Sequence, residues 1–600
     1  MTNLADLPAA VLPLDRPPLA LATALRGNVV AMLFWRAGCV HSRQALADLV
    51  TLPGELEGEP FAVVAVHVPS VEAERDPARV RRIVSGLPAA VTVLLDDERA
   101  LAGALAITAL PSLVLFDAAG DLCFSGRGEP NRRRLFDAVE VLLTMASESG
   151  RAARVPFAPP AASPRFALQP TALAADADGL WIGAAGHDRA YRVSADGEVE
   201  RSIDGLGRAS GMCVHVGRLF VSDSTTHQLR AFDLADADTG ARGERDAVAD
   251  LIGGRRDSQQ AAPTWTTVLG TGRRSTDRFG GGFGIDQGLC SPAGLLAHEG
   301  AIYCAQAGAH QVWQFDPETL AATPWMGTGA RMLRDGGDEA TFAEPLALAA
   351  SADELYVADA GNGAVRAIEL AHNFARTIAQ NVQRPCAVAV RGDQLFVLAA
   401  WQPALLVMPR SGGSLEVWFG AEHGLVEPVA LELVADTLWI ADVGADCLFA
   451  VDLEAPSPTL RRVELRDWAP VAPAATRSGA AQVMAPIEVR EFSDVELSIP
   501  LPHTIGAPVG HGTRCEVDIL DEGEPVLAAD RHLVVQAAAD HVAVLIPITG
   551  SGQGTLRVVV SAAIGAATRT YRHLVPVLVS PTGALQTRLR PARQPATGAI

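Results

Sequence analysis

Short runs of alternating apolar and polar residues recur through the middle of the chain. In the clearest copy, Phe342–Leu370, a proline and an apolar run precede a polar turn, a strand ending in Val-Ala-Asp, a Gly/Asn turn and another alternating strand. Further copies start at Pro170, Ser210, Pro292, Pro385 and Pro428. Short strands that repeat every ~40–50 residues are typical of a β-propeller with one four-stranded sheet per repeat. We therefore predict six blades over residues 168–465.

The first part of the chain has a different pattern, in which apolar strands alternate with helical segments. A continuous apolar strand, Val29–Trp35, is followed by a tight turn and a helical pattern from Val40 to Val50. A second strand, Phe61–Val68, and further segments follow, up to a helix over Asn131–Met145. This order predicts a mixed sheet flanked by helices, and hence an α/β domain over residues 1–148.

Alternating strands return near the C-terminal end. Seven of them lie between Ile487–Phe492 and Thr568–Val579. Many short strands in about 100 residues favour a β-sandwich, here over residues 483–581. The predicted fold class is thus multidomain, with an α/β domain, a six-bladed β-propeller and a C-terminal β-sandwich.

The segments between these patterns are rich in small and polar residues. Pro/Ala-rich stretches at 149–167 and 466–482 are predicted to be linkers, and 582–600 a disordered tail. Residues 235–288 separate the second and third blades, and a solvated surface insertion is favoured there over a functional loop.

Composition limits the classes of function. The chain has 600 residues, 49% of them hydrophobic, and no apolar run approaches a membrane span. With no signal-peptide pattern at the N-terminus, we expect a soluble, cytoplasmic protein without membrane contact. The net charge of −20 argues against nucleic-acid binding. Every basic residue is arginine, which excludes a Walker-type or Schiff-base lysine.

The eight cysteines include no Cys-x-x-Cys pair. A zinc site or a disulfide framework is therefore poorly supported. Cysteines on the predicted blade strands are expected to be small buried hydrophobic residues. We predict no metal and no cofactor.

Residues 25–147 resemble the thioredoxin fold. The segment Trp35–Ser42 falls where that family has its active-site turn, and Leu110-Pro111-Ser112 falls where it has the cis-proline loop that packs against the active cysteine. The resemblance implies that Pro111 is cis. Where the family has Cys-x-x-Cys, this chain has Cys39-Val40-His41-Ser42.

Whether the domain can exchange thiols and disulfides depends mainly on this departure from the Cys-x-x-Cys motif. A cysteine at a helix N-terminus faces unpaired N–H groups and the positive end of the helix dipole, which stabilise a thiolate. His41 and Ser42 could each donate a hydrogen bond to Cys39, although a lone histidine here is more often a capping residue than a base. Ser42 cannot resolve a mixed disulfide, and Cys123 is poorly placed to do so, so an external thiol would be needed. An inert Cys39 and a reactive one stay equally open.

The propeller repeats resemble NHL repeats. Asp223, Asp359 and Asp442 each follow a second strand, and the connecting segments Val268–Leu295 and Trp325–Leu348 share Gly-Thr-Gly, a Gly-rich turn, an aromatic residue and a proline. Three histidines lie in the turns after second strands, and turn hydrogen bonding is favoured over metal binding for them: His187, His227 and His310.

The order of domains resembles the NHL repeat-containing protein 2-like family, in which a thioredoxin-like domain is fused to an NHL propeller. The family's cysteine-pair motif is kept only as Cys39. We expect a scaffold that binds a protein or small-molecule partner at the propeller face. The alternative is a monothiol oxidoreductase or peroxide-reactive enzyme, with a low-molecular-weight thiol as partner and a site formed by Cys39, His41, Ser42 and Pro111. A metal-dependent propeller hydrolase or lyase is a distant third.

Overall fold

The computed structural model describes residues 2–8, 12–14, 21–56, 58–85, 87, 91–153, 157, 168–176, 179–235 and 265–466, together with nine C-terminal strands. The predicted tail at 582–600, most of the 149–167 linker and residues 236–264 of the predicted insertion lie outside the described residues.

The N-terminal domain is an α/β sandwich around one six-stranded sheet, with strand order β1-β4-β3-β2-β5-β6. Its strands are β1 (Leu12–Pro13), β2 (Val29–Trp35), β3 (Phe61–His67), β4 (Thr92–Leu95), β5 (Ser112–Phe116) and β6 (Leu122–Arg127). Its helices are α1 (Leu21–Ala24), α2 (Val40–Leu49), α3 (Leu52–Glu55), α4 (Pro77–Ser85), α5 (Ala100–Ala104) and α6 (Arg132–Glu148).

The central strand β2 is continuously apolar because both faces of the sheet are covered. It pairs in parallel with β3 and antiparallel with β5. Side chains of alternate residues enter two separate cores, in accordance with the period of two in a strand. Val29, Leu33 and Trp35 pack in one core, and Met32 and Phe34 pack in the other.

Six four-stranded antiparallel sheets form the propeller. Blades 1 and 2 comprise β7 (Pro170–Asp176), β8 (Gly179–Ala184), β9 (Arg189–Val193), β10 (Val199–Asp204), β11 (Gly211–His215), β12 (Arg218–Asp223), β13 (Gln228–Asp233) and β14 (Thr266–Leu269). Blades 3 and 4 comprise β15 (Pro292–His298), β16 (Ala301–Gln306), β17 (Gln311–Phe315), β18 (Ala322–Met326), β19 (Pro345–Ala350), β20 (Glu354–Asp359), β21 (Ala364–Glu369) and β22 (Phe374–Ala379). Blades 5 and 6 comprise β23 (Pro385–Arg391), β24 (Gln394–Ala399), β25 (Ala404–Pro409), β26 (Glu416–Gly420), β27 (Pro428–Val434), β28 (Thr437–Asp442), β29 (Cys447–Asp452) and β30 (Arg461–Val463).

The predicted fold class is confirmed, and one blade explains the irregular repeat spacing. The fourth strand of blade 2, β14, lies beyond residues 236–264 and pairs with β13. Part of the predicted insertion is therefore a propeller strand.

The C-terminal region has two sheets, as a β-sandwich requires. Its strands are β31 (Ala475–Ser478), β32 (Gln482–Val483), β33 (Ile487–Val489), β34 (Ser493–Pro500), β35 (Arg514–Glu522), β36 (Arg531–Gln536), β37 (His541–Ile548), β38 (Gly552–Ile564) and β39 (Ala567–Val579). Strands β34 and β37 form one sheet, and the other seven form the second. Strand β31 lies within the predicted 466–482 linker, β32 begins at the last residue of that linker, and both pair with β39.

The chain divides into two compact units. One comprises Met1–Ala172, Ala305–Val312 and Met326–Glu464, and thus holds the thioredoxin-like domain with blades 4 to 6. The other comprises Leu173–Cys304, Trp313–Trp325 and Leu465–Ile600. Across the described residues, no helix is long and apolar enough to cross a membrane.

Candidate functional site

The candidate site is the turn between β2 and α2, which ends at Cys39. Cys39 is the N-cap residue of α2, with φ −115° and ψ 121°, and its side chain makes no capping hydrogen bond. Only 3% of its surface is exposed. The predicted position at a helix N-terminus is therefore present, but the thiol is buried.

The other predicted site residues lie around this turn. The His41 Nδ1 atom is 2.5 Å from the Glu129 Oε1 atom. Ser42 is fully buried, and its hydroxyl has no hydrogen-bond partner in the structure as described. The Leu110–Pro111 peptide bond is cis. The register that pairs Phe34 with Ser112 places Pro111 beside the end of β2.

Backbone N–H groups of the turn are bonded to side chains. The Ala37 N–H donates to His67 Nε2 at 3.2 Å, and the Gly38 N–H donates to Glu74 Oε1 at 2.6 Å. The Val40 N–H, at the start of α2, donates to Glu344 Oε2 at 3.4 Å. Of the N–H groups in the first turn of α2, that of Val40 is thus engaged by a carboxylate.

Propeller residues cover the turn. The Arg384 guanidinium donates to the Gly38 carbonyl at 2.7 Å. The Trp401 ring lies so close to Gly38 that a Cβ there would overlap with it. The ring of His310 meets that of His41 edge to face, with centroids 5.5 Å apart. Gly38 is therefore required by a close approach, because any larger residue would push the propeller side chain away.

A second group of contacts involves helix α4. Arg79 donates to the Ala400 carbonyl at 3.0 Å and lies 3.3 Å from Glu427 Oε1. Arg82 donates to Glu427 Oε2 at 2.7 Å. We call the two groups together the domain junction; its propeller residues are His310, Glu344, Arg384, Ala400, Trp401 and Glu427.

Charge at the junction centres on Glu344, which is completely buried. Burial would raise the pKa of its carboxyl group, but the positive charges of Arg384 and Arg331 outweigh that effect and hold the pKa below its usual value. Arg331 Nη2 is 3.1 Å from Glu344 Oε1, and Arg384 Nη1 is 3.6 Å from Oε2. Glu344 is therefore an anion near the N-terminus of α2, where the helix dipole stabilises it.

An open cleft with a volume of about 370 Å³ lies beside the junction. It is lined by Val71, Glu72, Ala73, Gln383, Trp401 and Gln402. This size is near the lower end of small-ligand sites. Trp401 both lines the cleft and covers Gly38.

Other thiols are poorly suited to resolve a Cys39 adduct. Burial and the nearby Asp117 raise the pKa of Cys123, which is exposed on β6. Burial raises the pKa of Cys304 and of Cys386 to about 12. The expectation that blade cysteines are buried is confirmed for Cys213, Cys304, Cys386 and Cys447.

The recurrent aspartates organise the turns after second strands. The Asp442 carboxylate accepts the N–H groups of Val426, Glu427, Gly444 and Ala445. Asp223 accepts those of Thr225 and Thr226. Aspartate side chains commonly accept backbone N–H groups of turns in this way.

Two of the three histidines bond further along the chain than predicted, whereas His187 Nδ1 lies 3.0 Å from the Tyr191 hydroxyl in its own hairpin. His227 Nδ1 accepts the Ser291 N–H at 2.9 Å, and His310 Nδ1 accepts the Glu344 N–H at 3.2 Å. Each bond holds the chain that enters the next blade. Asp446 has the same role in blade 6, where it accepts the N–H groups of Leu168 and Gln169. Among the described residues, no group of three or more His, Cys, Asp or Glu side chains could hold a metal ion.

Sequence reasoning missed the junction residues, although a signal was present. Glu344, Arg384 and Glu427 each immediately precede the proline that opens the first strand of blade 4, 5 or 6. The equivalent residues of blades 1 and 3, Gln169 and Ser291, carry no charge. Charge at this repeat position thus marks blades 4 to 6, whose residues at this position lie in the junction.

Comparisons with known proteins give relatives at low identity. No family model matches the chain. It is 25% identical over 411 residues to Protein SUPPRESSOR OF QUENCHING 1, chloroplastic, of Arabidopsis thaliana, covering 63% of this chain and 36% of that protein. It is 23% identical over 422 residues to NHL repeat-containing protein 2 of Gallus gallus, covering 63% of this chain and 54% of that protein. The chain thus spans between about a third and about half of these relatives' length.

Among solved structures, a thioredoxin-type protein of Neisseria meningitidis is 24% identical, with a TM-score of 0.22, covering 25% of this chain and 96% of that one. The sequence matches confirm the predicted resemblance to the NHL repeat-containing protein 2-like family.

Proposed function

We propose that this protein is a binding scaffold in which the propeller holds a protein or small-molecule partner and the thioredoxin-like turn serves as a docking surface. The observation that carries the proposal is the burial of Cys39 beneath the propeller side of the domain junction. A thioredoxin-type enzyme needs its nucleophilic sulfur exposed to a bulky disulfide substrate. Here Arg384 and Trp401 lie against Gly38, the residue before Cys39.

The loops that carry the junction also offer a surface for a partner. The cleft beside Trp401 combines an aromatic ring with the side chains of Gln383 and Gln402. Such a combination of apolar surface and a few polar groups suits a small ligand or an extended peptide.

The proposal predicts no disulfide reductase turnover. Insulin reduction with glutathione as the resolving thiol should proceed no faster with the full chain than with its Cys39→Ser variant. Cys123→Ser serves as the matched control, because it removes an exposed thiol of the same domain. Turnover that Cys39→Ser abolishes and Cys123→Ser leaves intact would reject the scaffold function.

The same assay tests the second candidate, a monothiol oxidoreductase. Two observations favour it: Cys39 is the N-cap residue of α2, and the neighbouring Leu110–Pro111 bond is cis. Its catalytic group would be Cys39, with His41, Ser42 and Pro111 around it and an external thiol as the resolving partner. That reaction requires the junction to open.

A further inference from the structure

We propose that the domain junction is a releasable closure over Cys39, in which Glu344 and Glu427 hold the thioredoxin-like domain against the propeller and its release makes the thiol reactive. This inference rests on the scaffold function above, because it concerns a second state of the same docking surface. It assigns the two carboxylates a role in controlling access to the cysteine.

The contacts that hold the junction are mainly polar and directional. Glu427 pairs with two of the three arginines of α4, Arg79 and Arg82, and the side chain of Glu427 is 15% exposed. The Glu344 carboxylate accepts a hydrogen bond from the Val40 N–H and forms an ion pair with Arg384. Interfaces between domains of one chain that rely on such contacts resemble transient protein interfaces, so relative motion is expected. Removing the Glu427 carboxylate takes its negative charge away from the buried Arg79, which weakens docking strongly.

The thioredoxin-like domain and the propeller blades of the junction can separate without unfolding, because each has its own hydrophobic core. Val29, Leu33 and Trp35 pack with other residues of the thioredoxin-like domain. Phe396, Leu438 and Phe449 pack within blades 5 and 6. Opening the junction therefore exposes polar groups to water and leaves these apolar cores intact.

In the closed junction, propeller residues bond to the backbone on both sides of Cys39. Arg384 holds the Gly38 carbonyl, and Glu344 holds the Val40 N–H on the other side of Cys39. Undocking releases both contacts and removes Trp401 from Gly38. The thiol then lies at the open N-terminus of α2, where unpaired N–H groups favour its thiolate.

The test is the rate of Cys39 alkylation by iodoacetamide in the full chain, read by peptide mass spectrometry. When reclosing is fast, this rate follows the fraction of open molecules. Glu427→Gln and the double variant Glu344→Gln/Glu427→Gln should each accelerate it at least about tenfold. Cys304 and Cys386, which are buried in the propeller, report unfolding in the same sample.

Glu354→Gln is the matched control. Glu354 pairs with Arg376 inside blade 4, and its side chain is 13% exposed, close to the value for Glu427. Faster alkylation of Cys39 alone, in the junction variants but not in Glu354→Gln, is the expected result. An unchanged Cys39 rate, or acceleration shared by Cys304 and Cys386, would overturn the closure.

These outcomes are separate from the test of the scaffold function. Insulin turnover by the unmodified chain would reject the scaffold even if the closure exists. A Cys39 alkylation rate that the junction variants do not change would reject the closure but would not contradict the scaffold function.

Discussion

At the scale of single residues, the turn before α2 is fixed by side chains that accept its N–H groups. His67 accepts the Ala37 N–H, Glu74 accepts that of Gly38, and Glu344 accepts that of Val40. The sequence predicted where Cys39 lies but not what surrounds it. His67 and Glu74 lie 28 and 35 residues beyond Cys39, and Glu344 lies in another domain. Such partners depend on tertiary packing, which local patterns do not encode.

His67 should make stability depend on pH. Burial lowers its pKa to about 4, whereas an unfolded histidine titrates near 6.5. Between these values only the unfolded chain binds the proton, so this stabilisation is complete above about pH 6.5 and is lost as the pH falls, by up to about 3 kcal/mol. His67→Gln keeps a hydrogen-bond acceptor and removes the titration. The free energy of opening of β2, from hydrogen exchange corrected for intrinsic pH effects, should therefore vary less with pH in the variant.

The control is His372→Gln, which changes a largely exposed histidine. It should retain the pH dependence of the unmodified chain. If the free energy of opening of β2 varied equally with pH in His67→Gln and in the unmodified chain, the pH dependence could not be assigned to His67.

At the scale of elements, strands were predicted more accurately than helix ends. Strand β2 has the predicted bounds, because a continuous apolar run between two turns leaves little choice. The sequence pattern predicts a helix over Asp97–Leu105, but α5 begins at Ala100. The reason is local: Arg99 has a left-handed backbone at φ 57°, and the Asp96 carboxylate accepts the N–H groups of Leu101 and Ala102. Asp96 thus caps the helix from outside it.

In blade 6 one buried carboxylate organises the whole turn, and its loss should be costly. Asp442→Ala leaves four backbone N–H groups without their acceptor, and we expect the free energy of unfolding of the blade to fall by about 3 kcal/mol. Urea-dependent alkylation of Cys447, which is buried in the same blade, measures this loss. Asp452→Ala is the control, because that exposed carboxylate accepts the Glu454 N–H; it should cost about 0.5 kcal/mol or less. Similar losses in both variants would contradict the role of Asp442.

At the scale of the whole molecule, the sequence predicted the kinds of domain but not the contact between two of them. The repeat pattern of the blades and the alternation of strands and helices each arise within one domain. The junction depends on charges at equivalent positions of three blades, which matter only once the blades are aligned. Glu344, Arg384 and Glu427 appear unrelated in the linear sequence, because 40 or more residues separate each from the next.

A junction held by ion pairs should respond to salt. Raising the ionic strength from about 0.1 M to about 1 M shortens the screening length from about 10 Å to about 3 Å. We expect Cys39 alkylation by uncharged iodoacetamide to accelerate about threefold, a modest change because Glu344 is buried and poorly screened. The Glu344→Gln/Glu427→Gln variant should lose this salt dependence. A rate that is independent of salt, or equally dependent in both proteins, would show that ion pairs do not hold the junction.

The bonds from Asp446 to Leu168 and Gln169 have a consequence for the entry to the propeller. Leu168 and Gln169 lead into the first strand of blade 1, and their N–H groups donate to the Asp446 carboxylate of blade 6. Two N–H groups immediately before β7 therefore depend on a single carboxylate of blade 6. Losing that one carboxylate would release both residues at the entry to the first propeller strand.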